Sequence, residues 1–231
     1  MTAPDACLLV VAKAPVAGLA KTRLARVIGD RPAARLAAAA LLDTLDTVLA
    51  VPGTVPVVAM TGRFASAERS AEIADALASC TVIPQCGNDF AERLVNAHAA
   101  AGGLFPGAPV FQIGMDTPQL RPEVLTGALV RLMTDDTGAV LGPAADGGWW
   151  GLGLREPADA HLLRAVPMSR SDTGSRTLFA LRRQGLRVRR LLTLSDVDTM
   201  TDAMRVATLV PHSRFARAVG ELDHPLVGAV R

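Results

Sequence analysis

The sequence predicts an α/β fold: a mostly parallel sheet with helices on both faces, arranged as a single domain. Three observations predict it. Short runs rich in Val, Leu and Ile alternate with segments of helical period. Pro and Gly punctuate the junctions, as at Pro15, Gly18 and Gly185. No repeat, low-complexity block or long linker divides the 231 residues, a length that one hydrophobic core can serve.

The elements follow in order. Residues 7–12 contain Leu8-Leu9-Val10-Val11 and read as a buried strand, and a helix is expected to begin near Thr22. Residues 32–50 read as a helix. Leu41, Leu42, Leu45, Val48 and Leu49 share its apolar face, with Asp43, Thr44, Asp46 and Thr47 opposite. Residues 55–60 are strand-like, 66–77 helical, and 81–83 a short strand. Residues 89–101 form a helix with Asp89 near its start, and 109–113 (PVFQI) a strand that runs into the loop 114–118. Pro122 suits the first position of a helix over 122–133. Strands at 139–141 and 149–154 are joined through Asp146-Gly147-Gly148. A helix at 172–184 is stopped by Gly185 and followed by a strand at 186–192. Residues 199–210 are the last helix assigned, and the tail from Pro211 carries no assignment.

Composition excludes several classes. The net charge of +2, with no Tyr and 3% aromatic residues, gives neither the field nor the stacking surface for bulk nucleic-acid binding. The longest uncharged run, residues 47–62, contains Pro52 and Pro56 and is too short to span a membrane. Asp5 and Lys13 flank a short apolar run, which does not fit a signal peptide. Cys7, Cys80 and Cys86 lack metal or redox spacing, so reduced thiols in a cytoplasmic protein are expected. His98, His161, His212 and His224 show no ligand spacing.

In such folds ligands bind beyond the carboxyl ends of the strands, which directs attention to four loops. The first holds Lys13, Lys21, Arg23 and Arg26 with no acid between them, and Gly18 permits close backbone approach. It reads equally as an anion-binding loop or a solvated one, and it is not a P-loop. The second, Gly114-Met115-Asp116-Thr117-Pro118, offers a carboxylate for a hard divalent cation or an Asx-type turn. In the third, Asp196 and Asp198 are either further ligands or, for Asp198, the cap of the next helix. The fourth runs from Gly142 to Trp150 and reads as a ligand-approaching turn or an Asp-Gly hairpin with buried tryptophans. Residues 167–177 are polar and helix-opening, with Ser169, Ser171, Asp172 and Thr173 as caps or contacts. The Arg182, Arg183, Arg187, Arg189 and Arg190 cluster reads as a solvated face.

Taken together, residues 13–24, 114–118, 146–148 and 196–199 occur in one order, and the chain over roughly 6–210 resembles a known family. It is similar to the bacterial "transferase 1" family, associated with radical-SAM and selenodomain proteins and labelled glycosyltransferase-like. That family lies within the nucleotide-diphospho-sugar transferase superfamily. The first two loops also resemble small-metabolite nucleotidylyltransferases. The resemblance implies a GT-A fold in which Lys13, Pro15, Gly18, Lys21, Thr22 and Arg23 wrap nucleotide phosphates. It also implies Mg²⁺ or Mn²⁺ on Asp116 and Asp198, with Asp196 as a competing ligand. Gln85 and Gly87 would lie on the base side, and Gly114, Asp146, Gly147, Gly148 and Ser169 would contact substrate. Lys21, Arg23 and Asp116 would carry the chemistry. The implied partners are a nucleotide, either a triphosphate or a diphospho-sugar, and a small acceptor. Four cations favour a triphosphate and hence nucleotidylyl transfer with release of pyrophosphate. Glycosyl transfer and a non-catalytic nucleotide binder are the alternatives.

Overall fold

The computed structural model describes residues 4–222. Seven strands form one sheet in the order β3-β2-β1-β4-β6-β5-β7. They are β1 (Ala6–Lys13), β2 (Thr54–Thr61), β3 (Thr81–Pro84), β4 (Val110–Gly114), β5 (Ala139–Pro143), β6 (Trp149–Leu154) and β7 (Val188–Arg190). All pairings are parallel except those of β6, which runs antiparallel to both β4 and β5. The sheet is therefore mixed and mostly parallel, as expected.

The central strand β1 is covered on both faces, which explains its uninterrupted apolar run. Leu8 and Val10 pack with Leu41 and Leu45 of α2 (Asp30–Leu49) and with Leu125 of α5 (Pro122–Leu132). On the other face, Cys7 and Leu9 pack with Ala97 and Ala101 of α4 (Phe90–Leu104). Both sets are fully or almost fully buried. The remaining helices are α1 (Thr22–Ile28), α3 (Ser70–Leu77), α6 (Thr173–Arg183), α7 (Met200–Leu209) and α8 (Arg214–Gly220), with 3-10 turns at Phe64–Ser66 and Pro157–Ala165.

Three expectations need correction. The polar face assigned to α2 is only partly solvated, since Asp43 and Thr44 are buried while Asp46 is exposed, and Leu49 of the apolar face is exposed too. The cause is α8, which falls in the tail that local pattern leaves unassigned. Phe215 and Val219 pack against Leu36 and Ala40, and Asp43 accepts the Arg214 and Phe215 N–H groups at 3.1 and 2.8 Å. The helix expected from residue 66 starts at Ser70, because Arg69 adopts a left-handed conformation (φ 55°) after the 3-10 turn. The strand expected over 186–192 shortens to three residues at the sheet edge. Arg182, Arg183, Arg187, Arg189 and Arg190 are all exposed, as expected of a solvated face, and Arg187 and Arg189 also pair with Asp136. Of the histidines, His224 lies outside the described residues. No described helix is long and apolar enough to cross a membrane.

Candidate functional site

The carboxyl ends of β1, β2 and β4, with the loop between β5 and β6, open onto two adjoining cavities of about 430 and 590 Å³. They share Lys13, Met115, Asp116, Asp146, Ser169, Arg170 and Asp198, so this group forms their junction. The larger lies under the opening loop, against Lys21, Thr22 and Arg23. The smaller extends toward α4, past Gln85, Gly114, Gly148 and Asp196.

Lys21 borders the larger cavity beside this junction. Its backbone is left-handed (φ 48°, ψ 49°) immediately before α1, which turns the side chain inward. Its ammonium lies 2.7 Å from Asp116 Oδ2, 2.6 Å from the Val197 carbonyl oxygen and 3.7 Å from Asp198 Oδ1. Burial pushes the Lys21 pKa down, but the Asp116 charge and hydrogen bond outweigh it and hold the amine above its ordinary value. Arg23 is mostly exposed and reaches Asp198 Oδ2 at 3.1 Å. Lys13 Nζ donates to the Leu19 carbonyl, while Arg26 is an exposed helix residue away from both cavities.

The two acidic loops therefore converge on one ammonium. Asp116 follows β4 directly, and Gly114 is the residue that admits it: a Cβ there would lie 2.8 Å from Asp116 Oδ1. Asp198 is not the cap of α7. That role belongs to Thr199, which forms a capping box with Asp202, leaving Asp196 and Asp198 for other partners. Asp196 accepts from the Thr117 hydroxyl at 3.3 Å. Its pKa is pushed up to about 7 by burial, then by the charges of Asp116 and Asp146, against the lowering effect of Lys21. Four carboxylates, Asp116, Asp146, Asp196 and Asp198, thus line the cavities beside the cations Lys13, Lys21, Arg23 and Arg170. Among the described residues, no group of three or more His, Cys, Asp or Glu side chains is placed to hold a metal ion.

Other expected contacts have framework positions instead. Pro15 is buried and its carbonyl accepts the Glu68 N–H. Gly18 (φ 76°) turns the opening loop beside Asp30. Gly87 packs on the start of α4, where a Cβ would meet the Arg93 backbone at 2.8 Å. Gly147 (φ 90°) packs on Ser171, and its carbonyl accepts the Gly174 N–H. None of these four lines either cavity. Gln85 does, but its amide nitrogen is bonded to the Ala12 and Ala59 carbonyls. Gly148 donates its N–H to Asp146 Oδ1 at 2.8 Å.

The tryptophans divide. Trp150 is buried over Gly142 with its indole N–H on the Leu192 carbonyl, whereas Trp149 lines the smaller cavity. In the 167–177 stretch, Ser169 (φ 58°) and Arg170 line both cavities. Asp172 makes no capping bond and instead pairs with Arg170 and Arg176. Sequence reasoning missed Arg93 and Gln112, which also line the smaller cavity. A glutamine inside the apolar run PVFQI was the available signal for the second.

No curated protein matches the chain. A solved structure from Desulfovibrio desulfuricans G20, described as a candidate nucleotide-diphospho-sugar transferase, superposes with a TM-score of 0.81. It shares 26% identity, and the alignment covers 94% of this chain and 95% of that one. CMP:2-keto-3-deoxy-manno-octonic acid synthetase complexed with CTP has a TM-score of 0.58 and 14% identity, over 90% and 98% of the chains. A mannosyltransferase from Pyrobaculum calidifontis in complex with GDP-Man and Mn²⁺ has a TM-score of 0.52 and 14% identity, over 98% and 67%. The fold is thus that of the GT-A-like nucleotide-diphospho-sugar transferases, and these neighbours are transferases of both nucleotidylyl and glycosyl type. The family model described as "Uncharacterized protein conserved in bacteria (DUF2064)" matches residues 44–170, more than half of the sequence, and the chain belongs to that family.

Proposed function

We propose that this chain is a metal-dependent transferase acting on a nucleotide, and that its reaction is nucleotidylyl transfer from a nucleoside triphosphate to a small phosphorylated acceptor. The observation that carries the reading is the pair of cavities that meet at Asp116 and Asp198, one of them bordered by Lys13, Lys21 and Arg23. Two compartments with a charged junction suit a reaction of two substrates. The clustered cations suit the more highly charged donor. The resemblance of the first two loops to small-metabolite nucleotidylyltransferases supports the reading, while the label of the "transferase 1" family points to glycosyl transfer; the reading includes a single domain over residues 1–231 and a cytoplasmic location.

In this reading an acceptor phosphate oxygen attacks the α-phosphorus, the bond to the α–β bridging oxygen breaks, and pyrophosphate leaves with the electron pair. Lys13, Lys21 and Arg23 bind the phosphates and hold the charge that grows on the leaving group. Asp116 and Asp198 would hold Mg²⁺ or Mn²⁺, with Asp196 as the alternative second donor. The residues fit such an ion by chemistry, since both carboxylates already share one cation, Lys21. A pair of carboxylates completed by substrate phosphates and water is also a usual setting for Mg²⁺. When bound, the ion would offset repulsion among phosphate oxygens. Asp146, Gly148 and Ser169 border the second substrate, and Gly114 leaves room for the Asp116 carboxylate.

The test is a thermal-stabilisation screen of nucleoside triphosphates and nucleotide-diphospho-sugars, each with and without Mg²⁺ or Mn²⁺. Metal-dependent stabilisation by a triphosphate supports the reading. Preference for a diphospho-sugar overturns it in favour of glycosyl transfer. Pyrophosphate release on adding phosphorylated acceptors distinguishes the enzyme from a nucleotide binder.

A further inference from the structure

A third cavity, of about 530 Å³, shares no lining residue with the two that meet at Asp116 and Asp198. It lies between the 3-10 turn Pro157–Ala165 and α6, and its size suits a small molecule. The sequence sets two rows of side chains along it. On α6, Arg176, Phe179 and Arg183 are spaced i, i+3 and i+7, so they share one helix face. The buried face of α6 is a different one, formed by Thr173, Thr177 and Leu181. On the 3-10 turn, His161 and Arg164 are three positions apart, which aligns them on a helix with three residues per turn.

No Asp or Glu among the described residues lines this cavity. Of its three guanidiniums, only that of Arg176 has a carboxylate partner among the described residues, Asp172 at 2.6 Å. Cations gathered in a cleft without counter-charge concentrate a positive potential that draws anions. The planar fork of arginine matches phosphate oxygens, and a phosphate ester carries close to two charges where a carboxylate carries one. Phe179 is 67% exposed and offers an aromatic face that the core does not use, while Leu162 and Val166 add apolar surface.

One chain of ion pairs joins this cavity to the other two. Asp172 holds Arg176 through Oδ2, and its Oδ1 lies 3.1 Å from Arg170 Nε. Arg170 in turn lines both cavities at the junction. We propose that the cavity between the 3-10 turn and α6 is a second anion site, which takes a small organic phosphate with a flat apolar body and signals its occupancy to Arg170. Arg164 and Arg183 grip the phosphate, and Phe179 stacks on the body. Arg176 turns from Asp172 toward the bound anion, which leaves the Asp172 carboxylate to Arg170 alone. Binding at this site does not depend on the transfer reaction proposed above.

The experiment titrates ¹⁵N-labelled wild-type protein, free of nucleotide, with phenyl phosphate, inorganic phosphate and phenol. The Nε–H resonances of Arg164, Arg170, Arg176 and Arg183 and the backbone amides of α6 are followed. Phenyl phosphate is expected to shift all four arginines and to bind about tenfold more tightly than phenol, the worth of one charge-assisted hydrogen bond. Inorganic phosphate cannot stack on Phe179 and is expected to bind about tenfold more weakly than phenyl phosphate, a difference that Phe179→Ala erases. Arg164→Gln combined with Arg183→Gln is expected to lose about tenfold or more in affinity and to leave Arg170 unmoved. Both side chains are exposed, so this double variant keeps the fold. Equal binding of phenyl phosphate and phenol overturns the proposal. So do shifts confined to Lys21, Thr22 and Arg23, which place the anion in the opening-loop cavity only. An Arg170 resonance that moves as much in the double variant as in wild type overturns the coupling. If phenyl phosphate moves α6 but no nucleotide binds in a parallel titration, the second anion site stands and the transfer reaction falls.

Discussion

Replacing Lys21 with methionine keeps the length of the side chain and removes the charge on which the two acidic loops converge. In the intact protein the ammonium donates to Asp116 at 2.7 Å and to the Val197 carbonyl at 2.6 Å, and it faces Asp198 at 3.7 Å. Removing one partner of a well-buried ion pair costs about 3–5 kcal/mol. Here the Lys21 side chain is 13% exposed, but Asp116 and Asp198 are 34% and 40% exposed and can be hydrated once released. Solvent screening therefore reduces the cost to about 2 kcal/mol. For a chain of this size that is roughly 4–8 °C in Tm. Because the folded-state pKa of Lys21 is raised, its contribution is fully present below the ordinary lysine pKa and disappears only as pH rises through the folded value. The Tm deficit should accordingly hold steady from pH 6 to 9. Differential scanning calorimetry across that range measures it, and added Mn²⁺ should stabilise Lys21→Met more than wild type, since a cation then replaces the missing ammonium. A variant that melts within about 1 °C of wild type would refute the reasoning, because a difference that small corresponds to well under 1 kcal/mol.

Three further outcomes are expected. Asp43→Ala removes the acceptor for the first two N–H groups of α8 and should cost about 2 kcal/mol by urea unfolding, with no change in nucleotide binding. Gly147→Ala places a Cβ 1.8 Å from the Ser171 carbonyl oxygen in a positive-φ position. It should cost at least roughly 2 kcal/mol and disturb the Ser169–Arg170 border of both cavities, read as weakened nucleotide binding. Asp196 has a folded-state pKa raised to about 7, so its contribution is present below the unfolded carboxylate value and is lost as pH rises from about 4 to 7. Asp196→Asn should flatten that decline and stabilise the metal-free protein at pH 8 by about 1 kcal/mol, checked by chemical denaturation at several pH values.

The parts of this protein that could be read from its sequence were those set by local pattern. A run such as Leu8-Leu9-Val10-Val11 must be buried on both sides, and a carboxylate such as Asp116 directly after a strand must stand at the sheet's ligand-binding edge. What escaped notice depended on distant contacts. Asp43 on the polar face of α2 is buried because α8, more than 160 residues later, supplies N–H groups to it. Seven residues of helix give too short a period to announce themselves. Thr199 took the cap for which Asp198 was a candidate, because only Thr199 forms the reciprocal pair with Asp202. Arg187 and Arg189 are exposed, as solvated charge should be, but their pairing with Asp136, some fifty positions away, leaves no mark in local pattern. Lys21 was among the candidate residues from the outset, but its left-handed backbone and inward course, which bring it to the carboxylates, follow from tertiary packing.

In the proposed reaction, Asp116 couples a divalent cation to nucleotide binding. Calorimetric titration of GTP and of CTP into the wild-type protein and into Asp116→Asn, each with Mg²⁺ and with chelator, tests it most directly. For at least one triphosphate, the wild-type Kd should rise about tenfold or more when metal is removed, a coupling of roughly 1.4 kcal/mol. Asp116→Asn should bind weakly and show no response to metal. Equal affinity in all four conditions, or no binding of either triphosphate to the wild type, would contradict the account.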